Sequence, residues 1–170
     1  METTEQKNEV QNQDFKTEVV CDVKRNDNEV YRIAHKEYKG ANYVDLRIFF
    51  KSKDDENRLI PTFKGIWIEE SMREELIRAL IDARKAPAVE CPEDKEVESQ
   101  VVCEVPVSEE EIYRISKGSG KKNAFVDVRR FFRREGKFIP YKRKGVSIQE
   151  SALDDVITGL MKAEPSRQSS

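Results

Sequence analysis

Four aromatic–basic groupings stand out in the chain: Tyr38 with Lys39, Arg47 with Phe49 and Phe50, Arg129 with Phe131 and Phe132, and Tyr141 with Lys142. An aromatic ring offers a stacking face to any nucleobase, worth about 1–3 kcal/mol per base. A Lys or Arg beside it neutralises phosphate and makes binding salt-dependent. Together they suit a single strand, whose bases are free to stack. Plainer readings stand beside this one. A charge run is often only a solvated face, and strand alternation is expected to send one ring of each Phe–Phe pair into a core.

Other chemistries find little support. His35 is the one histidine, so there is no basis for a His-dependent triad or a zinc site. It reads as a surface or groove residue. Asp45 and Asp127 could suggest a carboxylate pair, but each has an Arg two positions on, on the same strand face, which points to Asp–Arg orienting pairs. The stretch GSGKK (118–122) lacks the spacing of a phosphate loop and falls between strands rather than before a helix. Cys21, Cys91 and Cys103 have no metal-ligand spacing. An odd count without a secretion signal suggests a reduced, intracellular protein. The polar N-terminus reads as neither a signal nor a transit peptide, and no apolar run approaches a membrane span. The expectation is a non-enzymatic protein without cofactor or metal and with no membrane partner.

The net charge of −2 looks wrong for a polyanion binder, but it is an average over opposed regions. Residues 112–145 hold twelve Lys/Arg against two acids, and residues 30–65 hold eight against five. Residues 90–111 hold nine acids and one Lys, and residues 1–29 hold eight acids and four bases. Basic segments set between acidic ones are the footprint of a polyanion binder.

The basic segments belong to an internal repeat. EVYRI (29–33) is answered by EIYRI (111–115), and YVDLRIFF (43–50) by FVDVRRFF (125–132), both at an offset of 82 that Cys21 and Cys103 also share. LIPTFKGIWIEES (59–71) is answered by FIPYKRKGVSIQES (138–151), the offset falling to about 80 because the second hairpin loop is shorter. The organisation reads as a disordered acidic tail over 1–17, repeat 1 over 18–85, an acidic Pro-containing linker over 86–99, repeat 2 over 100–164 and a tail over 165–170. A unit of about 65 residues is marginal alone, so pairing of the copies is expected.

Within each repeat, EVYRIAHKEY and NYVDLRIFF read as strands, the second with Val44, Leu46 and Ile48 on one face and Asp45 and Arg47 on the other. Arg130 breaks the matching alternation in repeat 2, so that strand is expected to end or bend there. Further strand segments, with Gly65 and Gly145 at a bend, lead into a helix. Its apolar stripe is Met72, Leu76, Ala79, Leu80 and Ala83 in repeat 1, and Leu153, Val156, Ile157, Leu160 and Met161 in repeat 2. The stripe could pack on its own sheet, on the other repeat's helix, or on both. Trp67, opposite Ser147 of repeat 2, is expected to pack.

The run [YF]-V-D-[LV]-R-x-F-F, a polar hairpin, and a basic segment ending in K-G-[IV]-x-I before a helix resembles the positive cofactor four family of transcriptional coactivators and single-stranded-DNA binders. The resemblance occurs twice and covers most of the chain outside tails and linker. It implies an α+β fold: two repeats, each a curved four-stranded antiparallel sheet followed by one helix, paired as an intramolecular pseudo-dimer. It also implies single-stranded DNA running along grooves on the paired sheets. The family's aromatic-Lys-Gly hairpin corresponds to Tyr38, Lys39 and Gly40, its strand Arg to Arg47 and Arg129, and its following aromatic to Phe50 and Phe132. Its basic pair before the Gly corresponds to Arg143 and Lys144, but to Phe63 and Lys64 in repeat 1. Repeat 2 departs by placing Gly120, Lys121 and Lys122 at the hairpin, so repeat 1 is expected to supply more stacking and repeat 2 more charge.

The reading that follows is sequence-nonspecific binding of single-stranded DNA, with RNA left open, in transcription regulation or in replication and repair. Partners in the transcription machinery follow from the resemblance alone, as does a nuclear location in a eukaryote, or a cytoplasmic or nucleoid one otherwise. A protein-interaction adaptor recruiting basic partners through the acidic linker and tails is the alternative. Acidic segments that fold back and compete with nucleic acid are a third possibility.

Overall fold

The structure, a computed structural model, describes residues 15–55 and 57–165. Ten-residue and longer strands alternate inward apolar and outward polar residues, as half-buried strands must. They are β1 (Phe15–Lys24), β2 (Glu29–Tyr38), β3 (Ala41–Lys51) and β4 (Leu59–Glu69), leading through a short 3-10 turn (Glu70–Met72) into α1 (Arg73–Lys85). The order repeats as β5 (Val97–Pro106), β6 (Glu111–Gly120), β7 (Ala124–Arg134), β8 (Lys137–Gln149) and α2 (Glu150–Lys162). The fold is α+β, with two units of four strands and a helix.

The strands form one open antiparallel sheet in the order β1-β2-β3-β4-β8-β7-β6-β5. Among the described residues the two halves of the sheet are paired in register at Gly65 with Gly145, between β4 and β8. Tight two-residue turns close β2–β3 and β7–β8. Lys39 and Gly40 (φ 50° and 78°) and Glu135 and Gly136 (φ 51° and 78°) sit in the left-handed region that such hairpins require.

Two sequence expectations need correction, and a third is met in one of its two forms. β1 begins at Phe15, paired with Tyr38, so residues 15–17 belong to the sheet rather than to a tail; residues 1–14 and 166–170 lie outside the described residues. β5 begins at Val97, opposite Gly120, which shortens the linker to 86–96. In both places a long hairpin leaves backbone N–H and C=O groups that the preceding chain satisfies whatever its polarity. The strand through Arg130, expected to end or bend there, does not end but is irregular at that point. It continues to Arg134 with a register shift between Arg129 and Phe131, and repeat 1 has the same shift between Arg47 and Phe49. The irregularity belongs to the fold and not to the arginine.

One face of the sheet carries the core: Tyr31, Ile33, Val44, Leu46, Ile48, Ile66 and Ile68, answered by Tyr113, Ile115, Val126, Val128, Val146 and Ile148. The stripe of α1 is buried as spaced. In α2 Leu153, Val156, Ile157 and Leu160 are buried, but Met161 is 49% exposed, because the stripe drifts onto Ala163 at the helix end.

The helices are exchanged between halves. α1 lies on β5 and β6 of the second unit, α2 lies on β1 and β2 of the first, and the helices touch each other. The approach is close: a Cβ on Gly159 of α2 would stand 2.8 Å from Cys21 Sγ of β1. Polar contacts follow the exchange. The Tyr31 hydroxyl donates to the Ser147 carbonyl (3.0 Å) and accepts from the Gln149 N–H (2.9 Å). Tyr113 does the same in mirror fashion, donating to the Trp67 carbonyl (3.0 Å) and accepting from the Glu69 N–H (3.2 Å). Buried Lys117 donates to the carbonyls of Arg84 (3.3 Å) and Ala86 (2.6 Å), capping the C-terminal end of α1. Each half therefore completes its core with the other half's helix.

Candidate nucleic-acid interface

The register places Lys36, Tyr43, Asp45, Arg47 and Trp67 on the sheet face opposite the helices. A strand pairs residues of one face directly, so Asp45 stands beside Trp67 and Arg47 beside Gly65. Trp67 is half-buried, but among rings on this open face and not in the core. Its ring lies 5.1 Å from Tyr43 and 6.1 Å edge-on from Tyr38, with the Lys36 ammonium 5.6 Å from its centroid. The packing expected of Trp67 is thus packing within an aromatic platform.

Arg47 crosses the platform's flank. Its guanidinium donates twice to the Asp45 carboxylate (both 3.2 Å) and once to the Thr62 carbonyl (2.8 Å). Arg129 makes the same fork to Asp127 (3.3 and 3.4 Å). The expected Asp–Arg orienting pairs are present in both halves. Burial pushes the Asp45 and Asp127 carboxyls above the usual aspartate range, with the neighbouring guanidinium pulling the other way.

Across the Gly65–Gly145 pair, the basic stretch of β8 stands against the platform of the first half. A cleft of about 380 Å³ results, lined by Tyr43, Arg47 and Trp67 from one half and by Arg130, Arg143 and Lys144 from the other. Glu69 and Glu111 also line it. The second half's side is braced by a network. Arg130 donates to Glu69 (3.2 Å) and, with the Tyr141 hydroxyl, to Glu111. Burial raises the Glu111 carboxyl, but the hydrogen bonds from Tyr141 and Arg130 outweigh it and hold the group below the ordinary glutamate value. Tyr141 in turn packs against Phe132, the rings tilted at 49° with centroids 4.7 Å apart, and carries the Lys144 ammonium 4.1 Å from its ring.

The structure gathers some expected residues and separates others. Tyr38 and Arg47 share the open face of the first half, with Lys39 exposed at the hairpin tip over Tyr38. Arg143 and Lys144 reach the same cleft from the second half, and Arg143 also lies 4.2 Å over the ring of Phe63, which is 69% exposed. Lys64 is exposed beside the join. Arg129 flanks the second half's own open face. Lys121 and Lys122 are exposed in the β6–β7 turn. Neither Phe of a pair enters the core: Phe49 lies under Arg32 (4.7 Å), Phe131 under Arg114 (4.1 Å), Phe132 under Tyr141, and Phe50 is 39% exposed. The pairs sit beyond the helix-covered part of the sheet, where alternation no longer leads to a core. His35 is half-buried on the helix side, beside Val44 in register.

Tyr43, Glu69, Glu111 and Arg130 were not singled out as site residues. Tyr43 was findable, since it lies two residues before Asp45 and shares its face. Glu69, Glu111 and Arg130 depend on how the halves meet, which no local pattern encodes. Among the described residues, no group of three or more His, Cys, Asp or Glu is placed to hold a metal, and no helix is long and apolar enough to cross a membrane.

Residues 25–83 match the model of the family Transcriptional Coactivator p15 (PC4). No curated protein matches the chain. Among solved structures, a PC4 homologue from Burkholderia pseudomallei is 28% identical over 42% of this chain and 95% of its own, with a TM-score of 0.39. MRP1/MRP2 from Trypanosoma bruciei is 10% identical over 94% of this chain and 92% of its own, with a TM-score of 0.31. Within its first half, over residues 25–83, this chain is similar to the Transcriptional Coactivator p15 (PC4) family.

Proposed function

We propose that the protein binds single-stranded nucleic acid, DNA first and RNA as a second ligand, without strong sequence preference, and that it works by binding and not by catalysis. The observation that carries this reading is the cleft in which Trp67 and Tyr43 face Arg143 and Lys144. Rings give stacking to any base, and the cations track the phosphates. A duplex buries its base faces and would gain only the charge term. The same reading extends to Tyr38, Lys39, Phe50, Lys64, Arg129 and Phe132, and to Lys121 and Lys122 in the β6–β7 turn. The family domain supports a coactivator-type role in transcription, with single strands exposed in melted DNA as the setting and transcription proteins as partners.

The test is binding of labelled single-stranded DNA, single-stranded RNA and duplex DNA across a salt series. Single strands are expected to bind more tightly than duplex, with affinity falling linearly in log–log against salt. The Arg47→Ala, Arg129→Ala double variant should bind more weakly while staying folded. Absence of binding at low salt would overturn the reading and make the acidic-segment adaptor the one to pursue.

A further inference from the structure

We infer that, if the protein binds single strands as proposed, it holds one strand per chain, in a composite groove whose stacking floor comes from the first half and whose phosphate contacts come from the second. A pair of identical subunits must offer two equal grooves by symmetry. This chain is freed from that constraint, and its residues have diverged on opposite sides.

The divergence is read off matched positions. The floor of the first half is Tyr38, Tyr43 and Trp67. The same positions in the second half hold Gly120, Phe125 and Ser147. Phe125 is turned down onto its own sheet, so close that a Cβ on Gly118 would stand 2.7 Å from its ring tip. A base entering there would find one ring already engaged, no indole and no hairpin tyrosine. The wall is skewed the other way. Against the first half's floor stand Arg143 and Lys144, while the first half offers Phe63 and Lys64 to the second. Arg130, whose matched residue Ile48 is core, also lines the first-half cleft, but its charge is taken up by Glu69 and Glu111. Strong floor and strong wall thus meet on one side, and weak floor and weak wall on the other.

The free cations give the groove an orientation. Glu69 and Glu111 also line the cleft, but both are paired with Arg130. The backbone therefore follows Arg143 and Lys144, and the bases turn toward Trp67.

The experiment uses the full chain and a 12-nucleotide oligothymidylate, with stoichiometry by native mass spectrometry at low salt and affinity by anisotropy. One strand per chain is expected in the tight phase. Trp67→Ala should weaken it about tenfold or more, Trp67→Phe far less, and Phe125→Ala by less than about twofold. Trp67→Phe keeps the test interpretable should Trp67→Ala lose its fold, since replacing Trp67 should still outweigh replacing Phe125. Two strands per chain of equal affinity, or equal losses from Trp67 and Phe125 variants, would overturn the single groove while leaving single-strand binding intact. No binding by the wild type would instead sink the functional reading on which the inference rests.

Discussion

Arg47 lies across Gly65, its register partner, so closely that a Cβ at position 65 would stand 2.5 Å from the guanidinium carbon. Arg129 lies across Gly145 in the same way, at 2.7 Å. Among the described residues, Gly65 and Gly145 are also the one strand-register pair between β4 and β8. Their missing side chains let two arginines lie flat over the seam, each forked onto an aspartate. These glycines serve close approach and not an unusual backbone.

Gly65→Ala should therefore displace Arg47 or part the strands. Overpacking of this kind costs about 1–3 kcal/mol. In a chain of this size that lowers the thermal midpoint by about 2–10 °C. The collision is with Arg47, so the loss should shrink by half or more in an Arg47→Ala background. Melting curves of the two single variants and the double variant measure the coupling. A penalty of the same size in both backgrounds would mean that the alanine disturbs the β4–β8 pairing instead.

The exchange of helices makes each half dependent on the other. A first-half fragment, residues 15–85, would leave Tyr31, Ile33 and the face covered by α2 open to water. As a monomer it should lack a cooperative transition, and it should fold only by pairing with a second copy. Analytical ultracentrifugation with a concentration series of melts tests this. A stable monomer would show that α1 can close back on its own sheet. Within the full chain, Tyr31→Phe removes the hydroxyl that serves the Ser147 carbonyl and the Gln149 N–H, at a cost of about 1–3 kcal/mol. Tyr113→Phe should cost a similar amount through Trp67 and Glu69.

How much of this was legible depended on whether a feature was local. The helix stripes and the Asp–Arg pairs two residues apart are patterns within one segment, and the offset of 82 is a direct match between two; the stripes are buried except at Met161, and both Asp–Arg pairs form. Which sheet a helix stripe covers is not local, since leucines at positions 76 and 80 look the same on either half. The charge count over 112–145 was also incomplete. Lys117 is only 3% exposed and caps α1, and Arg130 is held by Glu69 and Glu111. Both add to the formula and little to the surface field. Trp67 looked like packing because a lone tryptophan before a helix usually is; its partners Tyr38 and Tyr43 become visible only once β2, β3 and β4 are set side by side.

The salt dependence of binding should report which cations touch phosphate. Each contact to a single strand contributes about 0.7 to the slope of log affinity against log salt. Removing both Arg143 and Lys144 should lower the slope by about 1.4, along with affinity at low salt. Removing Lys121 and Lys122, exposed in the β6–β7 turn away from the residues lining the cleft, should change it less. Equal changes would mean that the strand follows the whole basic surface and not the cleft.

Glu111 carries a pH signature. Tyr141 and Arg130 hold its carboxyl below 4.5 against the opposing effect of burial. A carboxylate depressed by folding contributes stability that is fully present above its unfolded value and is lost as pH falls through its folded value. Glu111→Gln should lower the thermal midpoint at pH 7 by about 2–10 °C, from the loss of charged hydrogen bonds worth about 1–3 kcal/mol. The gap between wild type and variant should begin to close as pH drops through the ordinary glutamate range and should nearly vanish once Glu111 is protonated in the folded protein. Melts at pH 7, 5, 4 and 3 follow it. A gap that stays constant to pH 3 would mean that the shape of the side chain, and not its charge, holds Arg130 and Tyr141 at the wall of the cleft.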